Sequence, residues 1–287
     1  MGADVRLKLE LQQPTASYKV RGALNAVLRM AEGQSAESGA LVTASAGNHG
    51  QALAWAVRGT GTPLTIYVPA DAPKTKLQAI LASGATLVTC ESYDAAERRA
   101  KEHARTRGAV YVSPYNHPDV IAGAGTVGLE ILEDWPDVDI VLVPIGGGGL
   151  ISGIALAVRG ASTSAEVVGV EVAASNPFTQ GLEAGRIVTI AVQPTLADGL
   201  AGNLDPDTVT FEIVRQHVAR IVLVDEPQLR AAIVALVARE QLVVEGAGAV
   251  GVAALLARQL DVGEKNVAVV ISGGNIDSSQ LSALGCQ

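Results

Sequence analysis

The sequence predicts an α/β protein whose sheets are parallel and covered by helices. Three observations lead there. Short β-branched runs alternate with segments of helical period along nearly the whole chain. Several of those runs end directly in glycine-containing loops, as strands do when they turn back through a helix. With 48% hydrophobic but only 3% aromatic residues, the core must be built from Ala, Val, Leu and Ile.

The elements follow in order. Val5 to Leu11 (VRLKLEL) alternates with the period of a half-buried strand. Pro14 and Thr15 make a turn and Ser17 can cap; apolar positions then recur at helical spacing to Met30, with Gly33 as the stop. Lys19 falls in the first turn of that helix, where the dipole repels a cation. A solvated surface lysine is the default meaning of a single Lys. The functional alternative is an amine kept from charging and usable as a nucleophile.

Residues 40–45 form the next strand, which runs into ASAGNHGQA. Ser45, Ala46 and Gly47 precede Asn48 and His49 at a helix start, and amides there suit a carboxylate. His49 by itself reads as a cap or core residue rather than a catalyst. Further strands are predicted at 64–68, 86–89, 109–112, 139–143, 166–171, 220–224 and 266–271. Helices are predicted near 74–82, 93–107, 119–133, 150–158, 207–218, 226–239 and 247–258. No internal repeat or low-complexity linker interrupts them. The last strand ends at Ser272, a hydroxyl at the edge where ligands of open α/β sheets collect.

One stretch, DIVLVPIGGGGLISGIALAVR at 139–159, carries the plainest chemistry. A strand, four consecutive glycines and a helix start together offer unpaired amides and the positive end of a dipole, which is a phosphate site. A Cβ would keep those amides from an anion. A P-loop is excluded, because no Gly-Lys-Ser/Thr follows. The dinucleotide pattern breaks at Ser152, although Glu171 at the end of VVGVE keeps a nicotinamide-type reading open. The run from Ile140 to Val158 is uncharged and long enough to span a membrane, but Pro144 and the glycines would break a spanning helix.

Composition removes other classes. A net charge of −8 with no basic run argues against nucleic acid or an anionic membrane as partner. Cys90 and Cys286 are isolated, and His49, His103, His117 and His217 lack metal-ligand spacing. No signal peptide is evident, since charged residues occupy positions 4, 6, 8 and 10, and the chain is expected to be cytoplasmic.

Four motifs stand in order: QPTASYKVRGA, ASAGNHGQA, PIGGGGLISG and ISGGNID. Together they resemble the pyridoxal-phosphate enzymes of the tryptophan-synthase-β fold (fold type II), and within them the threonine/serine dehydratases and serine racemases. The resemblance extends to TLADGLAG at 195–202 and VVEGAGAVGVAALLA at 243–257. It implies two lobes, each a mostly parallel twisted sheet covered by helices. The smaller, mobile lobe would span 40–117; the larger, cofactor-binding lobe would combine 1–39 with 118–287. The implied cofactor is pyridoxal 5'-phosphate, with Lys19 as its Schiff-base lysine. Asn48 would hydrogen-bond the ring hydroxyl, Gly146, Gly147, Gly148, Gly149 and Leu150 would cradle the phosphate, and Ser272 would face the pyridine nitrogen. Ser45, Ala46, Gly47, Asn48 and His49 would line the substrate, with Asp198 and Glu245 as acidic residues near it.

The implied reaction is β-elimination from a β-hydroxy amino acid such as L-threonine or L-serine, giving a 2-keto acid and ammonia. Racemases carry a hydroxyl where this chain has Ala46, so dehydration should dominate over racemisation. A homodimer acting on a small amino acid is the family's usual form. The alternatives are a serine racemase, a dehydratase of a bulkier substrate such as hydroxyaspartate or phenylserine, a β-replacement synthase, and a catalytically silent homologue. Only eighteen residues precede Lys19, whereas the family carries a further strand and a Thr-Pro-Leu turn there. Glu171 stands where some members hold a divalent cation, but Pro177 occupies the position of the second acid, so no metal is expected. Gly246 replaces the proline usual after Glu245, which is expected to loosen that loop.

Overall fold

The computed structural model describes residues 2–33, 39–72 and 74–285; Cys286 lies outside them. In chain order, β1 (Asp4–Leu9) is followed by α1 (Lys19–Gly33), β2 (Leu41–Ala44), α2 (Asn48–Ala56), β3 (Leu64–Pro69) and α3 (Lys74–Leu81). Next come β4 (Thr86–Cys90), α4 (Tyr93–Arg107), β5 (Val110–Tyr111), α5 (Pro118–Asp134), β6 (Ile140–Pro144) and α6 (Gly149–Gly160). The chain continues through β7 (Glu166–Val172), α7 (Pro177–Ala184), α8 (Thr210–His217), β8 (Arg220–Val224) and α9 (Glu226–Glu240). It ends with α10 (Gly246–Leu256), β9 (Asn266–Ile271) and α11 (Ser278–Ala283). Two compact units result: Lys19–Gly123, and Met1–Tyr18 with Ala124–Gln287.

The smaller unit holds a four-stranded sheet in the order β4-β3-β2-β5, every pairing parallel. One face packs Leu41, Ile66 and Val68 against Val20, Ala23 and Val27 of α1, Leu53 of α2 and Ile80 of α3. The other face packs Val42, Ala44 and Tyr67 against Ala95, Ala96 and Ala100 of α4. Helix α4 starts and stops where sequence places it. Ser92 accepts a bond from Ala95 N–H, and Gly108 closes the helix in the left-handed conformation.

The larger unit holds a five-stranded sheet in the order β1-β9-β6-β7-β8, again all parallel. Successive residues of β6 alternate between its two faces. Ile140 and Leu142 join a core with α9 and α10, while Val141 and Val143 join one with α5 and α6. The long uncharged run at 140–158 is therefore a buried strand followed by a helix. Among the described residues no helix is long and apolar enough to cross a membrane.

The smaller unit is wider than the 40–117 expected from sequence. Residues 19–33 and 118–123 cluster with it, because α1 lies on α2 and on the first turn of α5. Contact there is backbone to backbone: an ideal Cβ on Gly22 would lie 2.7 Å from the Val120 carbonyl oxygen. Asn25 Nδ2 also donates to the Asp119 carbonyl at 2.8 Å. Nothing in the local period of 19–33 announces this packing. Helices α7 and α11 were likewise not foreseen. Both are short, and α7 opens on Pro177 and depends on a distant carboxylate described below.

Gly22→Ala should destabilise the chain by about 2 kcal/mol, because the clash with Val120 outweighs alanine's better helix propensity. Urea denaturation followed by circular dichroism measures this. A midpoint equal to or above that of the wild type would show that the two helices have room to part.

Candidate functional site

Each sheet reverses its winding once, and the sequence motifs collect at those two places. In the larger unit the chain moves outward from β6 through β7 to β8, then returns to β9 on the other side of β6. Ligands of open α/β sheets bind beyond the carboxyl ends of the strands flanking such a switch point. Here those ends carry the glycine tetrad, after β6, and Ser272, after β9.

Gly148 is the N-cap of α6, with φ +85°, and no side chain caps the helix start. Its conformation favours glycine, and its space requires it: a Cβ would meet Phe178 Cζ at 2.6 Å and Thr210 Cβ at 2.9 Å. Thr210 also holds the loop directly, its hydroxyl donating to the Gly147 carbonyl at 2.8 Å, with Thr208 Oγ1 a further 2.8 Å behind it. The amides of Gly149 and Leu150 thus sit at the positive end of a 12-residue helix on a braced loop. Sequence reasoning missed Phe178 and Thr210. No local signal identifies them, since both reach the loop from later elements.

The strand-end serine is tied to the chain's beginning. Tyr18 N–H donates to the Ser272 carbonyl at 3.0 Å, Ser17 and Gly273 form an antiparallel bridge, and Gly274 N–H donates to the Ala16 carbonyl at 2.9 Å. Asn275 Nδ2 adds a bond to the Thr15 carbonyl at 2.9 Å. Ala16 carries a positive φ of 51°, which marks the bend before this ladder. Tyr18 is followed in sequence by Lys19.

In the smaller unit the switch falls between β2 and β5. Ser45 to Asn48 follow β2, and Val112 to Pro114 follow β5. Gly47 is the N-cap of α2, again without a side-chain cap, and the space beside it is open. Its own N–H donates to Ser45 Oγ at 3.3 Å, so Ser45 shapes the turn. Lys19, first residue of α1, donates from Nζ to the Pro114 carbonyl at 2.7 Å. His49, expected from the resemblance to line the substrate, lies one residue into α2. It is only 2% exposed, and its Nε2 lies 3.0 Å from the Val112 carbonyl oxygen.

The remaining acidic candidates lie in the larger unit. Glu171 is fully buried and accepts from Phe178 N–H at 2.9 Å, Thr179 N–H at 2.9 Å and Thr179 Oγ1 at 2.6 Å. It therefore fastens the start of α7 and the Phe178 ring beneath Gly148. Among the described residues no cluster of three His, Cys, Asp or Glu side chains is placed to hold a metal. Asp198 opens a 3-10 turn, Asp198–Leu200, whose Leu200 Cα would lie 3.0 Å from a Cβ on Gly146. Glu226 orients the approach to that turn by accepting from Thr195 Oγ1 and from Leu196 N–H. Glu245 is the N-cap of α10, is 8% exposed, and lies against Gly273. Gly246 does not loosen its loop: it is packed against the Leu196 carbonyl, where no side chain fits.

These features define an α/β protein with a braced, uncapped helix start for a phosphate and a separate lysine amine held on a backbone carbonyl. Comparison with known proteins gives the class a family. The family model for pyridoxal-phosphate dependent enzymes matches residues 1–273, and the chain belongs to that family. It is 43% identical to an L-threonine ammonia-lyase of Thermotoga maritima over 99% of this chain and 70% of that protein. It is 38% identical to the catabolic L-threonine dehydratase TdcB of Escherichia coli K12 over 98% of this chain and 85% of that protein. Among solved structures, maize serine racemase superposes with a TM-score of 0.90 at 33% identity, covering 98% of this chain and 86% of that one. Pyridoxal 5'-phosphate fits the residues present. The uncapped start of α6 at the glycine tetrad would suit its phosphate, and the Lys19 amine is the kind of group its aldehyde would take.

Two outcomes are expected. Thr210→Val removes the brace on Gly147 and should weaken binding of pyridoxal 5'-phosphate about fivefold in a spectrophotometric titration of apoprotein, while Thr210→Ser preserves it. Equal affinities for all three proteins would mean that the loop holds itself. For Glu171, burial raises the carboxyl above its usual range, opposed by the bonds from Thr179 and Phe178. A raised folded-state value means that its stabilising contribution is complete below the unfolded value and is lost as pH rises through the folded one. The stability of wild type relative to Glu171→Gln should therefore fall as pH rises, which denaturant midpoints at about pH 4 and about pH 7 would measure. A difference growing with pH would contradict the burial argument.

Proposed function

We propose that this chain is a pyridoxal-phosphate-dependent ammonia-lyase that dehydrates a small β-hydroxy amino acid, L-threonine or L-serine, to a 2-keto acid and ammonia. The observation that carries the reading is the Lys19 amine, held 2.7 Å from the Pro114 carbonyl at the start of α1. The threonine ammonia-lyase and dehydratase names of relatives at 43% and 38% identity support the substrate class.

In this reading Lys19 Nζ would hold the cofactor by its aldehyde and, as a free amine, would take the Cα proton of the substrate. The amides of Gly146 to Leu150 hold the phosphate, and the Asn48 side chain bonds the ring hydroxyl. The uncapped start of α2 at Gly47 and Asn48 receives the substrate carboxylate. When bound, the cofactor supplies an electron sink for charge developed at Cα. Ser272 offers a neutral hydroxyl, which does not hold a pyridinium as a carboxylate would, so loss of the β-hydroxyl is favoured over transamination. Asp198 serves the substrate end.

Racemisation is the second reading, favoured by the likeness to maize serine racemase. Ala46 opposes it, since alanine has no proton to deliver to the opposite face of Cα. A cytoplasmic homodimer whose smaller unit, Lys19–Gly123, moves as the mobile lobe extends the same reading. It is supported by the family resemblance, and light scattering of purified protein tests the dimer.

Holoprotein should show a visible absorption band that Lys19→Ala abolishes, and should release keto acid from L-threonine and L-serine. D-serine should form at least about tenfold more slowly than pyruvate. A colourless wild type, or a Lys19→Ala variant that keeps both band and activity, would remove Lys19 from its role. Equal rates of D-serine and pyruvate formation would favour the racemase.

A further inference from the structure

His49 is a buried imidazole for which the proposed chemistry has no use. The Val112 carbonyl can only accept, so a hydrogen lies on Nε2 and the ring donates through it. Burial first, and the field of Lys19 next, push its pKa down to about 3, against the raising effect of the Val112 bond, and His117 lowers it further. The ring thus stays neutral through the physiological range. Its other nitrogen, Nδ1, is buried and has no hydrogen-bond partner among the described residues. An orphaned buried acceptor costs free energy that a leucine in the same space would not. The return on that cost must come from the Nε2 bond.

That bond grips the strand end next to the lysine's partner. The Val112 carbonyl also accepts Thr43 Oγ1 at 2.8 Å, and Val112 N–H donates to the Val42 carbonyl at 2.9 Å. Two residues later the Pro114 carbonyl accepts Lys19 Nζ at 2.7 Å. Proline fixes its own φ, so little slack remains between the gripped carbonyl and the one that holds the amine. Ser113 removes more of it, accepting the Asn116 N–H at 3.0 Å.

We propose that His49 is a positioning residue for Lys19: with Thr43 it clamps the Val112 carbonyl, and so sets the Pro114 carbonyl that aims the amine. The proposal rests on Lys19 being the cofactor-anchoring amine, and it adds that the aim is maintained from beneath, through the backbone of 112–114. His49 contacts neither substrate nor cofactor in this role.

The test mixes apoprotein with pyridoxal 5'-phosphate and follows the rate at which the visible band appears, without any amino acid present. His49→Leu should slow it about tenfold, and His49→Gln, whose amide restores a donor, should return it to within about threefold of wild type. Affinity for inorganic phosphate, which reports on the glycine loop, should be the same in all three. A His49→Leu protein that melts at a lower temperature yet reacts at the wild-type rate would reduce His49 to a packing residue and overturn the proposal. A folded His49→Gln protein as slow as His49→Leu would also overturn it. Should His49→Leu fail to fold, Thr43→Val removes the other donor with little change of shape. It should slow the reaction about threefold, and an unchanged rate there would overturn the proposal. If wild type develops no band, or Lys19→Ala does, the reading of Lys19 fails instead, which is a different result from a fast His49→Leu.

Discussion

The short ladder between residues 15–18 and 272–275 is the constraint that closes the larger unit and fixes where the chain leaves it. It joins the two ends of the chain through main-chain bonds at 3.0 Å and 2.9 Å, with a side-chain amide beside them. Closing so long a loop has an entropic cost that grows only slowly with length, and the β1–β9 pairing over six residues helps to offset it. The result is that the residue before Lys19 is fixed against the strand-end Ser272. Lys19, the next residue in sequence, begins α1 of the smaller unit.

The two units solve the same problem in the same way. Each winds a parallel sheet outward from a central strand and then returns to that strand's other side. The reversal leaves a gap in helix cover at the carboxyl ends, and each gap is lined by an uncapped helix start on small residues. What differs is the support. The glycine tetrad is braced by side chains, Thr210 and Phe178, the latter held by a helix that Glu171 caps. The Asn48 turn is accompanied by a backbone brace, the Val112 carbonyl with its two side-chain donors. A buried carboxylate and a buried imidazole, both tempting as ligands or catalysts, act here as fasteners.

Much of this was legible in the residues. Strand and helix positions from 64 to 271 follow the hydrophobic period closely, because strands buried on both faces and helices covering them leave few alternatives for apolar runs of that length. The motifs marked Lys19, the Asn48 turn, the glycine tetrad and Ser272, each a feature of local sequence. The boundary of the smaller unit was not legible, because it depends on Gly22 lying against Val120. Nor was the compactness of Gly246, whose reason is the Leu196 carbonyl some fifty residues away in sequence.

The sequence alone determined the α/β class and where the glycine loop and the first-turn lysine fall, since propensity, period and backbone permissiveness are properties of neighbouring residues. Only the tertiary structure decided what His49, Glu171, Thr210 and Pro114 do. A buried donor or acceptor takes its meaning from the partner brought to it, and those partners arrive from strands and helices far along the chain.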